Sequence, residues 1–402
     1  MRMIRAVAIM LTLTVTISLV GCVSYVDLSD RAIVQAIGID YLPEKKVYRI
    51  SVQYFNQSSE GGQNQIDKTQ DNVLKSVGEG ESIFAAAKNA SMLTGKDLLL
   101  SENRLIIIGK ELRKYKLGDT LEFFVGNYHS HPQAYVAAAE DTAEELLDIR
   151  FKEGSTSSQR LANLIHNASV ESRNKSTYSY QVMTMLCTST ESAFLPLLRT
   201  ATLKTDVTIP KETGGGNGNG GGEEQSEDGE KTIILDGGVV FKGGKELCRV
   251  DDDGAMAIFF MNDMPSEYSF TVPLGQNAKP SVMLIGVTRS IKATEYNGKV
   301  KFDVTFSASG KIGSKGGLKE DEKKAAEKVA EPAERELKRK IESSVIPIAK
   351  KGCDVFGLEN TLRRCCNRFY RENMDRVGEI IAESEIEVNV NIDIFSQGIG
   401  GA

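Results

Sequence analysis

Apolar and polar residues alternate without a break near the end of the chain. Ile386, Val388, Val390, Ile392 and Ile394 fall on one side, and Glu385, Glu387, Asn389, Asn391 and Asp393 on the other. Successive side chains of a strand point to opposite faces, so this segment predicts a strand with one face in a core and one in water. The same period of two runs through Tyr48, Ile50, Val52 and Tyr54 against Arg49, Ser51 and Gln53, and again through Val300, Phe302, Val304 and Phe306. Between RSIKATEY and the latter run stands Asn297-Gly298, a two-residue hairpin signal. AIVQAIGID (32–40), RLIIIG (104–109) and QAYVAAA (133–139) are apolar nearly throughout and read as buried strands.

Helical spacing interleaves with these strands. Ser82 can cap a helix that carries Ile83, Ala86, Ala87 and Ala90 on one side. DTLEFFVG (119–126) and DTAEELLDI (141–149) fit two more helices, with YLPEKK (41–46) a turn and 58–70 a polar loop. Residues 319–344 are dense in charge and are expected to be split at Pro332, because proline has no N–H to give a helix. Beyond it Leu337, Ile341, Val345 and Ile348 recur at spacings of four, four and three, and a further helix is expected over Glu359 to Arg371. The fold class is α+β, a mixed α/β chain with mixed or antiparallel sheets flanked by helices.

GGGNGNGGG (214–222) followed by EEQSEDGE offers no side chains for a core, and KTIILDGGVVF restarts the apolar pattern after it. The main boundary is therefore placed here. The expected organisation is a leader over 1–21, a tether over 22–32, an N-terminal α/β domain over 33–210 and a Gly-rich acidic linker or loop over 211–232. A middle domain over 233–280 and a C-terminal α/β domain over 281–402 complete it.

The beginning of the chain has a different logic. Arg2 and Arg5 precede an apolar run from Ala6 to Val20, which is followed by Gly21-Cys22. The run suits a secretory signal and falls short of the ~20 residues that span a bilayer. A small residue before a cysteine at this place resembles a lipobox, with cleavage between Gly21 and Cys22 and with S-diacylglyceryl and N-acyl (palmitate-like) chains on Cys22. Two or more chains anchor stably where one does not. No later stretch reaches 18 uninterrupted apolar residues.

The formal charge is −6, and −8 once Arg2 and Arg5 leave with the leader. That balance argues against nucleic acid as a partner. Cys187, Cys248, Cys353, Cys365 and Cys366 remain beside Cys22; an odd set without Cys-x-x-Cys reads as free or packed thiols, not as a disulfide framework or a zinc site. Asp251-Asp252-Asp253-Gly254 lacks the spacing of a calcium loop and reads as a turn between two strands. His129-Ser130-His131 precedes Pro132 and has no evident third ligand, so it reads as a solvated loop. No nucleophile elbow or zinc-protease motif occurs, and no catalytic residue, metal site or cofactor is assigned.

RAIVQAIGID soon after the cysteine, GESIFAAAKNAS leading into NRLIIIGKEL, GGVVFKGGKEL, GCDVFGLENTLRR and the closing VNVNIDI stand in one order along the chain. Together they resemble the C subunits of spore-germination nutrient receptors, the Ger(x)C (GerAC-type) lipoprotein family. The resemblance implies an elongated body of three α/β domains and a non-catalytic subunit of a germinant receptor, held to the outer face of the spore inner membrane or cell membrane. It also implies two partners, a receptor A subunit and a multipass B subunit, with lipid contact through Cys22 and direct nutrient binding left open. The chain departs from its relatives in having Val23-Ser24 after the cysteine and no tryptophan. The rival classes are a solute-binding lipoprotein of a transporter, which would have two similar lobes around a cleft, and a cell-wall enzyme, which would need a polar constellation.

Overall fold

The computed structural model describes residues 30–55, 73–126, 130–151, 156–202, 231–275 and 278–395, with 3–6 and 9–10 of the leader. Its larger sheet is laid on three strands: β1 (Arg31–Leu42), β2 (Val47–Phe55) and β3 (Val73–Gly80), an antiparallel meander. On the other side of β1 come β5 (Leu105–Ile108), β6 (Tyr135–Ala139) and β7 (Ala193–Thr202), each parallel to its neighbour, with the short β4 (Asp97–Leu99) also beside β1. Antiparallel β8 (Lys231–Lys242) and β9 (Lys245–Val250) end the sheet.

Helices cover both faces, which is why the central strands lack alternation. Ile106 and Ile108 point to one face, where α1 (Ile83–Thr94), α2 (Leu117–Gly126) and α5 (Ser179–Leu186) pack. Leu105 and Ile107 point to the other, under α3 (Ala143–Asp148) and α4 (Ser157–Val170). Ser82 caps α1 as expected, its side chain accepting from the Ala85 amide.

The second sheet has the order β10 (Glu267–Thr271), β11 (Ser281–Tyr296), β12 (Lys299–Ser314), β13 (Glu385–Ile394). The β11–β12 hairpin turns at Asn297-Gly298, where φ is 53° and 77°, the left-handed pair that this turn demands. β13 lies parallel to β12, and the connection between them holds α7 (Glu322–Ala349), α8 (Leu358–Cys365), α9 (Asn367–Glu372) and α10 (Val377–Glu383). The five alternating apolar residues of β13 include Val388, Val390 and Ile392, all buried against that layer.

Three features differ from the pattern-based expectation. Pro332 does not split its helix: α7 runs through it for 28 residues. Ala325, Val329, Ala333, Leu337, Ile341 and Val345 form one buried stripe across the proline, and that burial outweighs a cost of about 3 kcal/mol. The helix expected over 359–371 breaks at Cys366 into α8 and α9. Asp251–Asp253 is not a turn between strands but the start of α6 (Asp252–Asn262), after β9. Gly254 through Met261 are all buried, so α6 shows no amphipathic period to read.

β7 and β8 flank the glycine-rich tract and are hydrogen-bonded from Ala193↔Phe241 to Thr202↔Lys231, so the tract joins two neighbouring strands of one sheet. Residues 233–280 are shared: β8 and β9 belong to the large sheet, and β10 to the small one. Phe194 and Val240 of the large sheet enter the same apolar cluster as α6, α7 and the small sheet. The polar loop expected over 58–70 and the tract at 214–222 lie outside the described residues.

Candidate functional site

Gly21 and Cys22 lie outside the described residues, and the chain enters β1 at Arg31. β1 is hydrogen-bonded to strands on both sides, so the chain enters the fold in the interior of the larger sheet.

Of the three histidines, His129 is outside the described residues; His131 and His166 come together. With Asn103, Arg104, Tyr135 and Tyr178 they line a hollow of 220 Å³. His131 Nδ1 accepts from the Gln133 amide at 3.1 Å. Tyr135 Oη lies 3.1 Å from His166 Nδ1 and 3.3 Å from Tyr178 Oη, and the two tyrosine rings stack at 4.8 Å. Burial, with Tyr178 alongside, pushes the Tyr135 phenol well above its ordinary range. Asn103 Oδ1 accepts from the Leu105 amide, while its buried Nδ2 has no partner. Among the described residues no three His, Cys, Asp or Glu side chains converge as a metal site.

The buried carboxylates have structural work. Asp40, at the end of the RAIVQAIGID strand, accepts from the Ala143 amide at 2.8 Å and the Glu144 amide at 3.1 Å, capping α3. Burial pushes its carboxyl up to about 6. A side chain on Gly109, which ends LIIIG, would put its Cβ 1.8 Å from Asp40 Oδ1, so only glycine leaves this carboxylate its place. Asp354 is raised by burial and accepts from the Phe356, Leu358 and Glu359 amides. Glu359 accepts from the Ser189 amide at 3.1 Å, Ser189 Oγ at 2.6 Å and Tyr370 Oη at 3.0 Å, so it fastens α8 to the loop after α5. In the aspartate triplet Asp251 accepts from Gly254, Asp252 from Gly237, and Asp253 pairs with Lys340.

Cys187, Cys248, Cys353, Cys365 and Cys366 are free thiols. Cys353 is buried with Sγ 3.4 Å from the Phe241 carbonyl oxygen, and burial pushes its thiol up to about 12, far from a reactive thiolate.

A large sheet covered on both faces, a smaller sheet beside it and buried carboxylates occupied by backbone amides define an α+β protein. Its two sheets differ in size, order and connection, unlike the paired lobes of a solute-binding protein. Residues 24–200 match the family described as spore germination protein N-terminal domain, and residues 236–398 the family described as spore germination B3/GerAC like, C-terminal. The chain belongs to the GerAC-type spore germination family and is a C subunit of a germinant receptor. A search of curated proteins finds no match. A solved structure described as "Crystal Structure of the GerBC protein" has the same fold at 12% identity, with a TM-score of 0.55 over 89% of this chain and 96% of that one. The receptor family makes this a membrane-associated protein, and among the described residues no helix is long and apolar enough to cross a membrane.

Proposed function

We propose that the chain is a non-catalytic lipoprotein subunit of a nutrient germinant receptor, held to the outer face of the spore inner membrane by acyl chains on Cys22. It acts by contact with the receptor's A and B subunits. The observation that carries this reading is the order of the two family matches, which begins two residues after Cys22 and runs almost to the end of the chain. The lipobox grammar of Arg2, Arg5, the Ala6–Val20 run and Gly21-Cys22 supports the anchor. The occupied carboxylates and the high-lying Cys353 thiol support a role without bond-making. The test is Cys22→Ala in spores: the protein should leave the membrane fraction and germination through its receptor should fall. Membrane retention together with a normal response would refute the anchor. Affinity purification from detergent-solubilised spore membranes should recover a multipass protein and a larger A-type subunit; a permease with its ATPase would refute the assembly.

A further inference from the structure

The exposed side of α1 carries large apolar side chains where a surface helix is ordinarily polar. Ile83, Ala86 and Ala90 are buried against the sheet, while Phe84 and Met92 are 67% and 71% exposed. Phe84, Lys88 and Met92 recur every four residues and so share one outward stripe. Phe84 meets Phe123 of α2 edge-on at 6.3 Å. Between the two helices and β4 runs an open groove of 320 Å³ lined by Phe84, Lys88, Leu98, Leu100, Phe123 and Arg31.

Arg31 says what lies opposite this face. Nine residue steps separate it from Cys22, which allows at most about 30 to 32 Å. A folded chain of this length has a radius of gyration of about 21 Å and is roughly 50 Å across. The tether is too short to pass around the body, so the face that carries Arg31 is the face nearest the lipid that Cys22 enters. That face carries exposed aromatic and thioether side chains with Arg31 and Lys88 beside one exposed carboxylate, Asp97, a composition that suits the headgroup boundary of a bilayer.

We infer that the stripe of α1 with the neighbouring edge of α2 is a second membrane contact, in which Phe84, Met92 and Phe123 enter the lipid interface while Arg31 and Lys88 meet headgroup phosphates. It rests on Cys22 as the anchor. Acyl chains alone leave the body free to swing; this contact fixes its orientation to the bilayer.

The absence of tryptophan makes the test clean, since one introduced indole is the only one in the molecule. Full-length lipidated protein carrying Phe84→Trp, Met92→Trp or Tyr296→Trp is reconstituted into phosphatidylcholine/phosphatidylglycerol vesicles with or without brominated acyl chains. Tyr296 is the control: it is 76% exposed at the β11–β12 turn of the other sheet. Insertion to a depth of about 5–10 Å should lower the emission of Trp at 84 and 92 at least about twofold in brominated lipid and leave Trp at 296 unchanged. Equal emission at 84 and 92, or equal quenching at all three sites, in protein that floats with the vesicles overturns the inference and leaves the anchor standing. The first result would assign the stripe to a protein partner. Protein that does not float overturns the anchor, and with it the tether geometry on which the contact depends.

Discussion

Gly78→Ala is expected to cost about 3 kcal/mol, because β3 passes directly beneath the backbone of α1. A Cβ at Gly78 would lie 2.2 Å from the Ala86 carbonyl oxygen and 2.4 Å from the Ala90 amide nitrogen. Ordinary contact begins near 3.4 Å. Neither obstructing atom can rotate away, so α1 must move bodily by about 1 Å, at the upper end of the overpacking range of about 1–3 kcal/mol. Such a shift also stretches the 2.9 Å bond from Ser76 Oγ to the Ala90 carbonyl oxygen. The assay is urea unfolding at equilibrium, paired with hydrogen exchange of the α1 amides, which reads the helix by itself. Gly118→Ala in α2 is the control: its nearest neighbour, Leu186 Cδ1, is 3.9 Å away, and the change should be neutral or slightly stabilising. A Gly78→Ala protein within about 0.5 kcal/mol of the parent and with unchanged α1 protection would refute the packing of α1 on β3.

Asp40 holds its proton more tightly folded, at about 6, than unfolded, at 3.8. Its contribution is therefore fully present below the unfolded value and is lost as pH rises through 6, about 3 kcal/mol in all. Asp40→Asn should flatten the stability profile between pH 4 and 7 relative to the parent, and parallel profiles would contradict the assignment. Glu359→Ala strands the Ser189 amide and Tyr370 hydroxyl and should cost about 2–3 kcal/mol in thermal unfolding. An unchanged midpoint would mean that the α8 contact is replaced by water. Pro332→Ala restores a helix N–H in mid-α7 and should stabilise by about 1–3 kcal/mol in urea, whereas a loss would show that the ring itself packs.

Local pattern by itself determined the alternating strands, the Asn297-Gly298 turn, the Ser82 cap and the Leu337–Ile348 stripe, because each depends on residues only a few positions apart. Order of motifs also carried the family. Tertiary structure decided the rest. α6 has no polar side because both sheets cover it, and α7 crosses Pro332 because a continuous buried stripe holds both halves in place. β3 and β7 gave little signal: β3 is rich in glycine for close approach to α1, and β7 is apolar on both faces around Pro196. His131 and His166 share a hollow only because β5, β6 and α4 bring them there. The outward apolar stripe of α1 is invisible to period alone, since a sequence shows which residues are apolar and only the packed sheet fixes which of them face away from it. Pairing across the glycine tract was likewise beyond reach, because a strand's partner is chosen by the surface it must bury and not by the residues that precede it.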